Sequence, residues 1–261
     1  MNILFIGDIV GKPGRRILSR FLPELMDETA AHLVIVNAEN AAGGFGMSLQ
    51  IYEQLTGLGV DVITTGNHVW DRREFLQEIN DCERLLRPYN YPPGAPGRGL
   101  IVIETDLGPA AILNLAGRVY MLPADDPFRA SDSALAEIEP DVKVKFVDFH
   151  AEATSEKQAL GWRLDGRVTA VIGTHTHVPT ADERVLPQGT AYLTDAGMCG
   201  PRDSIIGVKI EPSLDRFLTG IPHRFETAAG PVELNGVAID CDEKTGKARS
   251  IRRIHRELGS E

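Results

Sequence analysis

Val168-Thr169-Ala170-Val171-Ile172 runs straight into Gly173-Thr174-His175-Thr176-His177, and four other apolar runs stop in the same way. Ile3-Leu4-Phe5-Ile6-Gly7 ends at Asp8. Leu33-Val34-Ile35-Val36-Asn37 leads to Glu39-Asn40, and Val60-Asp61-Val62-Ile63-Thr64 leads to Gly66-Asn67-His68. The run from Val142 to Phe149 stops at His150. In α/β folds the carboxyl ends of the strands share one rim, and ligands bind there. Five such ends would gather Asp, Glu, Asn and several His at one place, the composition of a two-metal hydrolytic centre.

Between these runs the first half carries helical patterns. Pro13 suits the first turn of a helix, and Ile17, Leu18, Phe21, Leu22 and Leu25 follow with helical spacing. A glycine-rich loop, Gly43 to Gly46, precedes a helix expected from Ser48 to about Leu58, and another is expected over Asp71 to Ile79. This alternation argues for parallel pairing and right-handed crossovers. Pro88 to Gly99 reads as a surface loop. Strands are expected at Gly99 to Glu104, Ala110 to Leu115, Val142 to Phe149, Arg184 to Leu186 and Thr190 to Thr194, with a helix at Glu156 to Leu164. Val232 to Asp240 and Lys247 to Arg256 read as an antiparallel pair joined at Asp242 to Gly246. The expected fold class is α/β, a sandwich of two mixed β-sheets flanked by helices, in one domain over residues 1–261.

The net charge of −10 and the lack of a basic cluster argue against long nucleic acid as a stable partner, because such binding rests on phosphate neutralisation. A small phosphorylated ligand is compatible, since bound metal can reverse the local field. The three cysteines, Cys82, Cys199 and Cys241, form no Cys-x-x-Cys pair, so neither a disulfide framework nor a thiolate zinc site is indicated. A strand begins almost at once, with no signal peptide ahead of it, and no apolar stretch approaches the roughly 20 residues that span a membrane. The expectation is a cytoplasmic protein with no membrane partner. A homo-oligomer is permitted but not required.

Each polar group has an ordinary structural use taken alone. Asp8 could cap a helix, Glu39-Asn40 could open a polar loop, Asn67-His68 could form a turn, and His175 and His177 could sit on an exposed loop. These uses weaken jointly, because four of the seven histidines follow expected strands. A pair of ions about 3.5–4 Å apart needs a bridging carboxylate with further ligands on each side. Glu39 is the natural bridge. Asp8 and His177, with the amide oxygen of Asn40, would complete one site; Asn67, His150 and His175 would complete the other. Metal-bound water, with its pKa lowered to about 7, would supply hydroxide. His68 would protonate the leaving oxygen or stabilise transition-state charge. The O/N donor set fits iron, manganese or zinc.

The order Gly-Asp, Glu-Asn, Gly-Asn-His, His, Gly-Thr-His-Thr-His resembles the calcineurin-like metallophosphoesterases. Two departures, Asp8 followed by Ile9-Val10 and Glu39 where an Asp usually bridges, resemble the YmdB-like branch. Gly7 to Gly11, Asn37 to Ala41 and Thr194 to Met198 resemble it too, and the similarity runs from residue 2 to about residue 255. The resemblance implies a metallophosphoesterase sandwich with two divalent or trivalent ions per chain, iron foremost, then manganese or zinc. It implies phosphodiesterase action on small phosphodiesters such as 2′,3′-cyclic nucleotides. Arg202, in Met198 to Arg202 on an expected loop near the metals, is a candidate phosphate contact.

Other enzyme classes lack their signatures. Gly7-x-x-x-Gly11-Lys12 has the wrong spacing for a P-loop and is followed by Pro13; no Gly-x-Gly-x-x-Gly opens the first helix, and no Gly-x-Ser-x-Gly elbow occurs. The alternatives are a phosphomonoesterase of the same fold and a metal-containing regulatory nucleotide-binding protein with slow turnover.

Overall fold

A computed structural model describes residues 1–259. The first sheet is built on short, buried parallel strands: β1 (Asn2–Ile6), β3 (Leu33–Asn37), β4 (Val62–Thr64) and β5 (Leu85–Leu86). Ile6 lies opposite Val36 and Asn37 opposite Thr64, so the ends of β1, β3 and β4 finish close together. Gly7 breaks the chain before β2 (Asp8–Ile9), which places Asp8 at the start of a second short strand. On the other side of β1 the sheet continues antiparallel through β13 (Val232–Cys241) and β14 (Ala248–Leu258). Their turn is closed by Asp242, whose side chain accepts from the backbone N–H groups of Lys244 and Thr245.

The second sheet has the order β10-β11-β9-β8-β7-β6. Parallel strands β7 (Gly108–Ala116), β8 (Val144–His150), β9 (Ala170–Thr174) and β11 (Ala191–Leu193) are flanked by antiparallel edges β6 (Leu100–Thr105) and β10 (Arg184–Val185). The sheets face one another across a core of residues such as Ile3, Phe5, Ile35, Val62, Ile112, Phe146 and Ile172. The Phe5 and Phe146 rings lie 5.1 Å apart within it. Helices α1 (Gly11–Thr29) and α2 (Leu49–Gly57) cover the outer face of the first sheet; α4 (Pro127–Glu137) and α5 (Thr154–Leu164) cover that of the second. The expected two-sheet α/β sandwich is therefore the observed fold. Among the described residues no helix is long and apolar enough to cross a membrane.

Two expectations need correction, and two helices went unread. The helix expected over Asp71 to Ile79 shrinks to α3 (Phe75–Glu78) and a 3-10 turn, Ile79–Asp81. The chain before it is held as a loop, with Arg72 donating to the carbonyls of Ala42 and Phe45. Met198 to Pro201 is not a loop but strand β12, wedged between β2 and β13. Helices α4 and α6 (Ile210–Thr219) were not anticipated. For α4 a signal existed: Asp126 caps it, accepting from Phe128 and Arg129, with Pro127 in the first turn.

Candidate metal centre

The carboxyl ends of both sets of parallel strands open onto one cleft. Glu39, Asn40 and His68 from the first sheet and His175 and His177 from the second line it, with Asp8, Asn67 and His150 gathered beside them. Glu39 is fully buried and stands at the middle. Its Oε1 lies 3.1 Å from His150 Nε2 and accepts from Asn40 Nδ2 at 3.0 Å. Its Oε2 accepts from the His68 backbone N–H at 3.1 Å. Gly66 permits this approach, since a Cβ there would stand 2.2 Å from His150 Cδ2 and 2.4 Å from Glu39 Oε2.

Among the described residues two groups of donor atoms, each within 4.8 Å of one another, could hold an ion: Glu39 with His150 and His175, and Asp8 with Glu39 and His177. Glu39 belongs to both. Asn67 Oδ1 lies 3.0 Å from His150 Nε2, and Asn40 Nδ2, rather than the amide oxygen expected as a ligand, lies 3.1 Å from His177 Nε2.

Three features fit these residues to metal. First, His150 Nε2 has Asn67 Oδ1, Glu39 Oε1 and His175 Nδ1 at 3.0–3.1 Å. One ring nitrogen carries at most one proton and cannot satisfy three such neighbours, two of them acceptors and one a second ring nitrogen. Second, Asp8 Oδ1 and Asn40 Oδ1 are buried without a hydrogen-bond partner, a situation that calls for an ion or a similar group. Third, every imidazole has its far nitrogen occupied by an acceptor, the arrangement that frees the near nitrogen as a ligand. His177 Nδ1 donates to the Ile206 carbonyl at 2.8 Å, and His175 Nε2 faces Glu152 at 3.2 Å. His150 Nδ1 donates to Thr174 Oγ1, which donates in turn to the buried Asp148. Asp148 also accepts from Thr64 and Asn37, and so ties the two sheets behind the site.

The electrostatics agree. Burial would lower His150, but the Glu39 carboxylate, with Asp8 and Asp148 behind it, raises it to about 9. Burial raises Asp8 to about 6, against the lowering effect of His177 and His150. Burial would also raise Glu39, yet the neighbouring His150 and His68 hold it well below the carboxylate range. His175 falls to about 3 through burial and the adjacent His150, so it is a neutral imidazole. The cluster stabilises positive charge at His150 and keeps a lone pair available at His175.

His68 stands apart from both ligand groups. Its Nδ1 pairs with Asp71 Oδ2 at 2.8 Å, and its ring meets the edge of Phe45 at 4.9 Å. The cleft around it has a volume of about 630 Å³. Beyond the polar floor its wall is apolar, with Phe45, Ile206, Val208, Phe217 and Phe225 among the lining residues. Arg216 lies over the Phe225 ring at 5.2 Å. Arg202 is not among the cleft residues; its guanidinium reaches Asp203 and Glu257 at 3.2 and 3.1 Å. Residue-by-residue reading missed the outer partners Asp71, Glu152, Thr174 and Asp148. Asp71 and Glu152 lie only three and two positions after His68 and His150, a proximity that could have flagged them.

A mixed two-sheet sandwich with histidines, carboxylates and amides at the joint strand ends defines a metallophosphoesterase-type fold. The chain belongs to the YmdB-like protein family, whose pattern it matches over residues 4–254. It is 50% identical over 254 residues to a 2′,3′-cyclic-nucleotide 2′-phosphodiesterase of Bacillus subtilis (strain 168), covering 97% of this chain and 96% of that one. A crystal structure of a hypothetical protein from Thermus thermophilus superposes with a TM-score of 0.92 at 44% identity, covering 98% of this chain and 99% of the other. That of a novel phosphatase from Mycoplasma pneumoniae superposes with a TM-score of 0.94 at 39% identity, covering 100% and 94%.

Proposed function

We propose that the protein is a metal-dependent phosphodiesterase that hydrolyses 2′,3′-cyclic nucleotides, with residues 1–261 acting as one catalytic domain. The observation that carries this reading is the buried Glu39 carboxylate shared by two ligand groups at the floor of a cleft with an aromatic wall. The relationship to the Bacillus enzyme supports the substrate class. Asp8, Glu39, Asn40 and His177 would hold one ion, and Glu39, Asn67, His150 and His175 a second, with iron, manganese or zinc matching the donors. Bound ions supply Lewis acidity toward the phosphoryl group and acidify the attacking water.

The chain's own residues do the rest. Asp71 fixes the His68 ring by accepting from Nδ1, which leaves Nε2 to deliver a proton. Water gives up one proton to solvent and adds its oxygen to phosphorus, the P–O2′ bond breaks, and O2′ takes a proton from His68, which solvent then reprotonates. Phe45, Phe217 and Phe225 offer the nucleoside an apolar wall that a simple phosphate ester would not use. The test is to measure metal content and to assay bis-p-nitrophenyl phosphate, p-nitrophenyl phosphate and 2′,3′-cyclic AMP side by side. About two ions per chain with diester turnover above monoester turnover is expected. Faster monoester turnover would overturn the diesterase reading, and absence of metal would overturn the site.

A further inference from the structure

Lys157 and Asp195 take no part in the chemistry above, yet each is only 1% exposed. Outside the ligand cluster, theirs is the most deeply buried ion pair among the described residues. Such a pair is seldom more stabilising than well-packed apolar side chains, so burial stability alone gives little reason for its presence. Its connections give another. Asp195 Oδ2 accepts from Lys157 Nζ at 2.6 Å, from Thr176 Oγ1 at 2.8 Å and from the Thr176 N–H at 3.2 Å. Oδ1 accepts from the Gly197 N–H at 2.8 Å. The Gly197 carbonyl then accepts from the Asp8 N–H at 3.1 Å, and Met198 N–H donates to the His177 carbonyl at 3.2 Å. One carboxylate thus grips the middle residue of His175-Thr176-His177 and also anchors the backbone that carries Asp8.

That grip falls where the backbone needs it. His175 and His177 have φ of 97° and 66°, values that non-glycine residues keep only when the surroundings enforce them. Thr176, between them, is clamped at both its N–H and its hydroxyl. Lys157 reaches the carboxylate past Gly173, where a Cβ would stand 1.8 Å from the Thr194 carbonyl oxygen and 3.0 Å from Lys157 Cδ. Its charge compensates Asp195, which would otherwise add an unpaired buried anion beside Asp8 and Glu39.

We propose that Asp195, neutralised by Lys157, is a positioning residue that sets the His175-Thr176-His177 loop and Asp8 in one register for metal binding. The proposal rests on the metal-dependent reading above. The test is a calorimetric titration of Mn²⁺ into metal-stripped wild type, Asp195→Asn and Thr176→Val, with the melting temperature of the same stripped samples and steady-state kinetics at saturating Mn²⁺. Asp195→Asn should raise the Mn²⁺ Kd about 10–100-fold, the range for groups that orient metal ligands. Thr176→Val should raise it by a smaller factor. In both, KM for 2′,3′-cyclic AMP should stay at the wild-type value once metal is saturating, and excess Mn²⁺ should recover kcat. A fall in melting temperature with wild-type Mn²⁺ affinity in both variants would overturn the proposal. If Asp195→Asn does not fold, Thr176→Val decides it alone: weakened affinity supports the role and unchanged affinity refutes it. A wild-type chain that takes up no Mn²⁺ would refute the metal reading itself, a result distinct from wild-type uptake with unaffected variants.

Discussion

Replacing Glu39 by Gln keeps the shape of the shared side chain and removes its charge. The consequence can be sized from His150. Burial disfavours the His150 cation, yet the field of Glu39, with smaller help from Asp8 and Asp148, lifts its pKa from 6.5 to about 9. That difference is worth about 3 kcal/mol for one unit of positive charge. A divalent ion held by the same groups would carry twice the charge, so about 3 kcal/mol sets the scale of the loss. Since 1.4 kcal/mol is about tenfold, Glu39→Gln should weaken metal binding by on the order of a hundredfold. Because Glu39 sits in both donor groups, both ions should be lost together. A Gln must also point its NH₂ either at His150 Nε2 and Asn40 Nδ2 or at the His68 N–H, now its Glu39 partners. Elemental analysis gives the stoichiometry, calorimetry the affinity, and the 2′,3′-cyclic AMP assay the activity. Metal content and turnover should fall in step. Full metal occupancy in the variant would refute the shared-bridge assignment.

His68→Ala should keep the metals and lower kcat by about 10²–10⁴-fold; turnover at the wild-type rate would remove His68 from the mechanism. Metal uptake must displace protons from Asp8, held at about 6, and from His150, held at about 9. Because protonation removes the ligand lone pair of His150 and the negative charge of Asp8, affinity should rise with pH. Between pH 6 and 8 the gain should be about tenfold per unit from His150, with Asp8 adding to it near the lower end; a flat calorimetric profile over that range would contradict the assignment. Phe217 is 82% exposed and lines the cleft, so Phe217→Ala should leave the melting temperature unchanged. It should raise KM for 2′,3′-cyclic AMP several-fold while sparing ribose 2′,3′-cyclic phosphate, which has no base; equal effects on both substrates would show that the apolar wall does not hold the base.

The legible parts of the fold were those with a local cause. Leu33 to Asn37 and Ala170 to Thr174 are buried throughout, so their apolar runs reported their strands directly. The Ile17, Leu18, Leu22 and Leu25 stripe is buried on α1, and its period reported the helix. Helix α6 defeats this logic. Ile210, Leu214, Phe217 and Leu218 are 40–83% exposed, so its apolar side faces the cleft and the surface more than a core. Strand β12 is short, and its neighbours β2 and β13 lie far away in sequence. The loop before α3 runs as it does because Arg72 is tied to carbonyls some 30 positions earlier. A motif names ligands, but it does not name what orients them: the Asp148 partners Asn37 and Thr64 lie 111 and 84 positions away.

The division of the candidate ligands between two sheets has a consequence for how the site is held. Asp8, Glu39 and Asn67 follow strands of one sheet, while His150 and His175 follow strands of the other. Their spacing is therefore set by how the sheets pack, through contacts such as Phe5 on Phe146. A small slip between layers would separate Glu39 from His150 without disturbing either strand. Two buried polar connections oppose such a slip. Asp148, on the second sheet, accepts from Asn37 and Thr64 on the first. Asp195, between β11 of the second sheet and β12 of the first, bonds to Thr176 on one side and to Gly197 on the other. Apolar packing between sheets is non-directional and tolerates sliding better than hydrogen bonds do. Directional bonds to two buried carboxylates are thus placed where a hydrophobic core by itself would leave the metal site least well defined.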